Sequence, residues 1–299
     1  MADKGTKSSS AVFGSSITRT EVGTVTFLTS LSNAPKDAWD VSQGQDGSVL
    51  AWASKGSGGL YDLYIGAEGG MTAPSNCSGL FRWYDNVTTI QFNSALHTSG
   101  VTNMSYMFNA CGSLTSVDIG GFDTSRVTDM AYMFCACKNV TVLDVSSFDT
   151  ARVTNMYAMF YGCKSLTALD VSGFNTANVV NMKEMFRDCS LSKLEVSGFD
   201  TSKVTKMGGM FYGCSGLSAL DVSGFSTGNV TDMGLMFDGC SSLTTLDLSG
   251  WDISGVTDMM WMFNGCKNLT LLNLSGWDIS RVKKTDWMFD GVPESAIQW

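Results

Sequence analysis

Nine cysteines, 18 methionines and a single histidine are the residues of this 299-residue chain with the means for redox or metal chemistry. Seven cysteines, Cys111, Cys137, Cys163, Cys189, Cys214, Cys240 and Cys266, recur at intervals of 25 or 26 residues, while Cys77 and Cys135 stand apart. An odd total forbids complete intramolecular pairing. Recurrence at that interval predicts stacked coils, which set equivalent Cβ atoms ~4.8 Å apart against the ~3.8 Å a disulfide prefers. The expectation is a ladder of buried thiols packed as small hydrophobes. Cys135 and Cys137 lack a second pair, and His97 is the only histidine, so no zinc set is expected. The methionines share the apolar side of their repeat and read as core filler, not as a copper site. No G-x-S-x-G, H-E-x-x-H or P-loop pattern occurs. The chain therefore reads as non-enzymatic, with no catalytic residue, cofactor or metal.

Carboxylates offer a different chemistry. Asp118, Asp144, Asp170, Glu195, Asp221 and Asp247 each follow an apolar residue at one repeat position and so point outward; Asn273 ends the series. Stacked in register, neighbours at ~4.8 Å repel by about 0.9 kcal/mol even at the dielectric of water. Two readings follow. The row attracts a cationic patch on a partner or loosely holds a cation, or each carboxylate bonds neighbouring Thr, Ser or backbone groups and is otherwise solvated. Beside the row, one outward position changes from coil to coil: Ser116, Val142, Ala168, Lys193, Ala219, Thr245 and Leu271. Changeable positions at even spacing on a rigid surface suit binding. The candidate partner-binding residues are thus Asp118, Asp144, Asp170, Lys193, Glu195, Asp221 and Asp247. A second set, Asp123, Asp149, Asp200, Asp252 and Asp278, precedes Thr or Ile and reads as turn-forming acceptors.

These positions are set by a repeat whose units begin at Val101, Val127, Val153, Val179, Val204, Val230, Val256 and Val282. Within a unit, "LTALDVSGF" (Leu166 to Phe174) has the leucine-rich-repeat spacing and alternates about Leu169, Asp170 and Val171 as a short strand requires. In "VTNMYAMFYGC", Val153, Met156, Met159, Phe160 and Cys163 lie at offsets that share one face of a helix. Thr154 or Asn155 suits its cap and Gly162 its last turn. Neither element buries its apolar face alone, so units must stack. The expected class is α/β: a capped, right-handed leucine-rich-repeat-like solenoid with one short strand and one short helix per coil. Residues 1–17 read as a flexible lead and 18–73 as a β-rich N-terminal cap. Residues 74–292 read as the solenoid, its first coil degenerate and its last truncated, and 293–299 as a C-terminal cap.

A formal charge of -9 argues against a nucleic-acid partner, which needs a basic stripe. No run approaches the ~18–20 apolar residues of a membrane span. The first twenty residues lack the apolar core of a secretory signal, which leaves a cytoplasmic location open.

The unit "VTNMSYMFNACGSLTSVDIGGFDTS", with the leader "AWDVSQGQDGSVLAWA…YDLYIGAEGG", resembles the BspA-type, leucine-rich-repeat-like surface proteins of bacteria over residues 18–299. The resemblance implies a cell-surface or secreted protein that adheres to a protein or glycan on another surface, with no known enzymatic activity. The expectation is a recognition scaffold that binds through the strand face of its coils. Its rival is a structural component of a surface or particle assembly, docked through the N-terminal cap.

Overall fold

In β1 (Val22–Leu28), Val25 and Phe27 turn inward and are fully buried, as alternation on a half-covered strand requires, and Val22, before a register shift between Val22 and Thr24, is buried as well. The computed structural model describes residues 11–56 and 58–299, so residues 1–10 of the expected lead lie outside the described residues. Four further strands precede the coils: β2 (Trp39–Asp40), β3 (Leu50–Lys55), β4 (Tyr61–Gly66) and β5 (Met71–Thr72). β3 runs antiparallel to β2 and β4, whereas β1 is parallel both to β4 and to β6 (Thr89–Gln91), the strand of the first coil. With β8 (Ser116–Val117) of the second coil, the sheet has the order β2-β3-β4-β1-β6-β8. The first coil's strand is therefore paired on its outer side and presents no open edge there. β7 (Leu96–His97) pairs with β5, and at the far end β9 (Thr245–Asp247), β10 (Leu271–Asn273) and β11 (Ile297–Gln298) form a parallel sheet.

The expected helix is absent, and with it the α/β class. Among the described residues there is no α-helix, only three short 3-10 segments at Arg19–Glu21, Ile279–Arg281 and Glu294–Ala296. The Val153–Cys163 segment is a ribbon of overlapping turns. The N–H groups of Met159, Tyr161 and Cys163 each donate to the carbonyl three residues back, at 3.2 Å. Ala158 (φ 51°) and Gly162 (φ 73°) are left-handed, as the third residue of a type II turn must be, which no α-helix tolerates. The alternate N–H groups of Met156, Ala158, Phe160 and Gly162 donate instead to Asn181, Lys183, Met185 and Arg187 of the next coil, at 2.8–3.0 Å. The left-handed pair recurs in every coil, for example at Tyr106 and Ala110, Leu235 and Gly239, and Trp287 and Gly291. A non-glycine residue held there costs ~1–2 kcal/mol. Intercoil hydrogen bonds at a net ~0.5–1.5 kcal/mol each offset that strain. Overlapping turns, each closed over three residues and begun two residues after the last, bring Met156, Met159, Phe160 and Cys163 to one side, as a helix would, and all four are fully buried. The apolar spacing is common to both conformations; the backbone is not.

Inside the coils, nine phenylalanines from Phe81 to Phe289 stack face to face, with centroids 5.3–5.9 Å apart and planes within 11° of parallel. Two polar ladders tie the stack. Buried Thr124, Thr150, Thr176, Thr201 and Thr227 each donate a hydroxyl to a carbonyl of the following coil at 2.9–3.0 Å. The thiols of Cys111 through Cys266 donate to phenylalanine carbonyls of the preceding coil at 3.0–3.3 Å.

Candidate functional site

Each strand half places an apolar side chain inward and its neighbour outward, then turns. Asp144, Asp170, Asp221 and Asp247 stabilise that turn: one oxygen of each accepts the N–H (2.9–3.1 Å) and the hydroxyl (2.6–2.8 Å) of the serine two residues on. Those bonds hold the carboxyls below their ordinary pKa, with the serine hydroxyl dominant for Asp144, Asp170 and Asp221 and the serine N–H for Asp247. Among the described residues nothing bonds the second oxygen of Asp144, Asp170 or Asp221, which leaves an exposed acceptor on each of those coils, while Asp247 also meets the Asn273 side chain. Asp118 has Gly120 in place of the serine and makes no such turn, while Glu195 pairs with Lys193 at 3.2 Å. All seven candidate residues are exposed.

Only three of them meet in one place. Thr141, Val142 and Leu143, with Ala168, Leu169, Asp170 and Ser172 of the next coil and Lys193 and Glu195 of the one after, line a shallow depression of about 440 Å³. The parallel bridge between Ala168 and Lys193 fixes the register of two of these coils. Leu143 and Leu169 form a buried floor, and Val142 stands above it 71% exposed, the most exposed large apolar residue of the described chain. Asp170 and the Lys193–Glu195 pair make the rim. An aliphatic bed with carboxylates at its edge suits a side chain with a methylene stem and a cationic head. Asp118, Asp144, Asp221 and Asp247 lie outside this lining.

The other chemical candidates are engaged elsewhere. All nine thiols are buried and free. Burial pushes Cys111 and Cys266 up to about 12, which suppresses the reactive thiolate. His97 is exposed with Nε2 3.3 Å from the Gly69 carbonyl. Among the described residues no three His, Cys, Asp or Glu side chains converge as metal ligands do.

A surface stack on the ribbon half was not foreseen. The Arg82 guanidinium lies between Trp83 (4.8 Å) and Tyr106 (4.6 Å); Tyr132 stacks on Tyr106 at 4.6 Å, and Tyr157 meets Tyr132 edge-on at 4.6 Å. Arg187 sits likewise between Tyr161 (5.1 Å) and Tyr212 (4.3 Å). Tyr106 and Tyr132 at one position of adjacent coils are the sequence signal that marks it. The ring faces are occupied by each other, which makes the stack a clamp between coils more than a platform for a ligand.

A family model described as "Mycoplasma protein of unknown function, DUF285" matches residues 75–197 and again residues 180–298. Two matches that overlap over residues 180–197 make the coils a repeat array and leave residues up to 74 outside both. No curated protein and no solved structure matches the chain.

Proposed function

The chain belongs to the DUF285 repeat family, and from that premise we propose that it is a non-enzymatic recognition scaffold that binds another macromolecule through the strand face of its coils. One observation carries the reading: the depression around Val142, where a bare apolar side chain stands beside an ion pair on a repeated backbone frame. Folding gains nothing from exposing Val142, whereas a partner that covers it gains ~25 cal/mol per Å² of apolar surface. The resemblance of the units to BspA-type bacterial surface proteins supports adhesion at a cell surface, with a protein or glycan as the bound molecule. The free oxygens of Asp144, Asp170 and Asp221 add long-range attraction for a cationic surface.

A protein and glycan array probed with the purified chain, then with Val142→Asp and Lys193→Glu, tests this. The expected result is a ligand whose binding both variants abolish, with melting temperatures unchanged because exposed substitutions stay within about 0.5 kcal/mol. A ligand that both variants bind normally would place recognition elsewhere.

A second reading, a structural component docked through the N-terminal cap, draws on a hollow of about 510 Å³ lined by Phe13, Asp40, Val41, Gln43 and Pro74 among others, nearly all of it outside the family match. A Gln43→Arg variant that disperses an assembly yet still binds the array ligand would favour it.

A further inference from the structure

Two arginines occupy the same position of the ribbon, Arg82 in the first coil and Arg187 four coils later. Each directly follows a phenylalanine of the core stack, and each guanidinium lies between two rings. Their charges are treated differently. Arg187 is neutralised from within: its Nη1 lies 3.4 Å from Glu184 and its Nε 3.7 Å from Asp188. At Arg82 the corresponding residues, three before and one after, are Gly79 and Trp83. Neither carries a charge, and among the described residues no carboxylate pairs with Arg82.

The Arg82 side chain is held in place all the same. Its Nε donates to Asn109 Oδ1 at 2.9 Å, and the rings of Trp83 and Tyr106 keep the guanidinium between them. Fully buried Arg19 donates to the Arg82 carbonyl and fixes the backbone. The Nη1–Nη2 edge is left over, two parallel donors without an acceptor among the described residues. A side chain at position 79 would run along this arginine, since a Cβ there would come 3.6 Å from Arg82 Cβ and 3.7 Å from its Cδ. The place that Glu184 fills beside Arg187 is open beside Arg82.

We propose that Arg82 is the docking point for an aspartate or glutamate side chain of a partner protein, which supplies the carboxylate that Glu184 supplies to Arg187. The contact lies on the ribbon and stands apart from the strand-face reading. A planar carboxylate matches two parallel donors. An arginine already clamped loses little freedom when it binds. The formal charge of -9 opposes a polyanion such as a nucleic acid. An acidic sugar would bring hydroxyl groups that need partners of their own, whereas the flanks are rings and the Asn109 amide is spent on Arg82 and the Cys135 carbonyl. Trp, Tyr and Arg together are the residues that anchor protein partners.

The test uses the whole chain and, as probe, the blocked tripeptide acetyl-Ala-Glu-Ala-amide, read by NMR at the Arg82 Nε–H and the Trp83 indole N–H. Both signals should shift saturably, with no change at Arg187, which has its own carboxylates. Arg82→Gln should weaken binding, read at the Trp83 indole, by at least ~10-fold, as loss of a charged hydrogen-bond partner does. Gly79→Glu should weaken it as much while keeping the arginine, because it recreates the arrangement around Arg187. Absence of a saturable shift, an equal response to acetyl-Ala-Gln-Ala-amide, or full affinity in both variants would each overturn the proposal. So would tighter binding of glucuronate or inorganic phosphate, or a shift that grows with protein concentration alone, which would make a second copy the occupant.

Discussion

In the strand half of a coil, neighbours meet through short ladders or a lone bridge such as Ala168 to Lys193, and the outward side chains change from coil to coil. In the ribbon half, up to four N–H groups per coil bond the next one, the phenylalanine stack runs beneath, and even the surface arginines are clamped between rings. The difference shows where cohesion and variation are kept apart. The ribbon and the core beneath it hold the coils together, so the strand face is free to carry Val142 bare and Lys193 beside Glu195 without loss of order.

The comparison breaks most visibly in the core. Phe160→Ala removes one ring from the stack and should destabilise the chain by ~3–5 kcal/mol, read from denaturant unfolding. The strand-face change Val142→Ala should stay within about 0.5 kcal/mol of zero. Equal effects at the two positions would mean that the halves do not divide the work.

Gly209 sharpens the ribbon side by sign alone. It is left-handed (φ 63°), and a Cβ there would come 3.2 Å from the Cγ of Glu184. Gly209→Ala should cost ~1–2 kcal/mol in the ribbon. A helix interior would instead gain ~1 kcal/mol from the same change. A stabilised variant would restore the helix that the structure removes.

The smallest effect lies on the strand face and depends on pH. Bonding to Ser146, Ser172 and Ser223 lowers the folded-state pKa of Asp144, Asp170 and Asp221. A depressed carboxyl contributes stability that is present above its unfolded value, near ~3.9, and is lost as pH falls through the folded value. The triple change to Asn should thus lower stability slightly at neutral pH, where the charged form contributes, and flatten the decline below about pH 4. A variant as stable as the parent at pH 7, with the same acid decline, would show that the serine bonds favour neither protonation state.

Much of this was legible in the residues, and the failures have physical causes. Met156, Met159, Phe160 and Cys163 were expected inside and are there, because burial follows apolar spacing whichever backbone supplies it. Gly162 was expected in the last turn of a helix; it sits, left-handed, at the third position of a tight turn. What misled was the position of Ala158, occupied in other coils by Tyr106, Glu184, Leu235 and Trp261, none of which signals a positive φ. Intercoil bonds impose that conformation, and they are invisible within a single unit. The acidic row was readable one coil at a time, including its bonds to serine. The depression around Val142 was not, since three coils must be set side by side before Asp170, Lys193 and Glu195 meet.

The one-way ribbon has a consequence for how the protein emerges from the ribosome. Synthesis delivers the end beside Arg19 first, and every finished coil then turns its open N–H groups toward residues not yet translated. The nascent chain is thus always templated at its growing tip, and coil can follow coil in the order of translation, since each contacts only its neighbours.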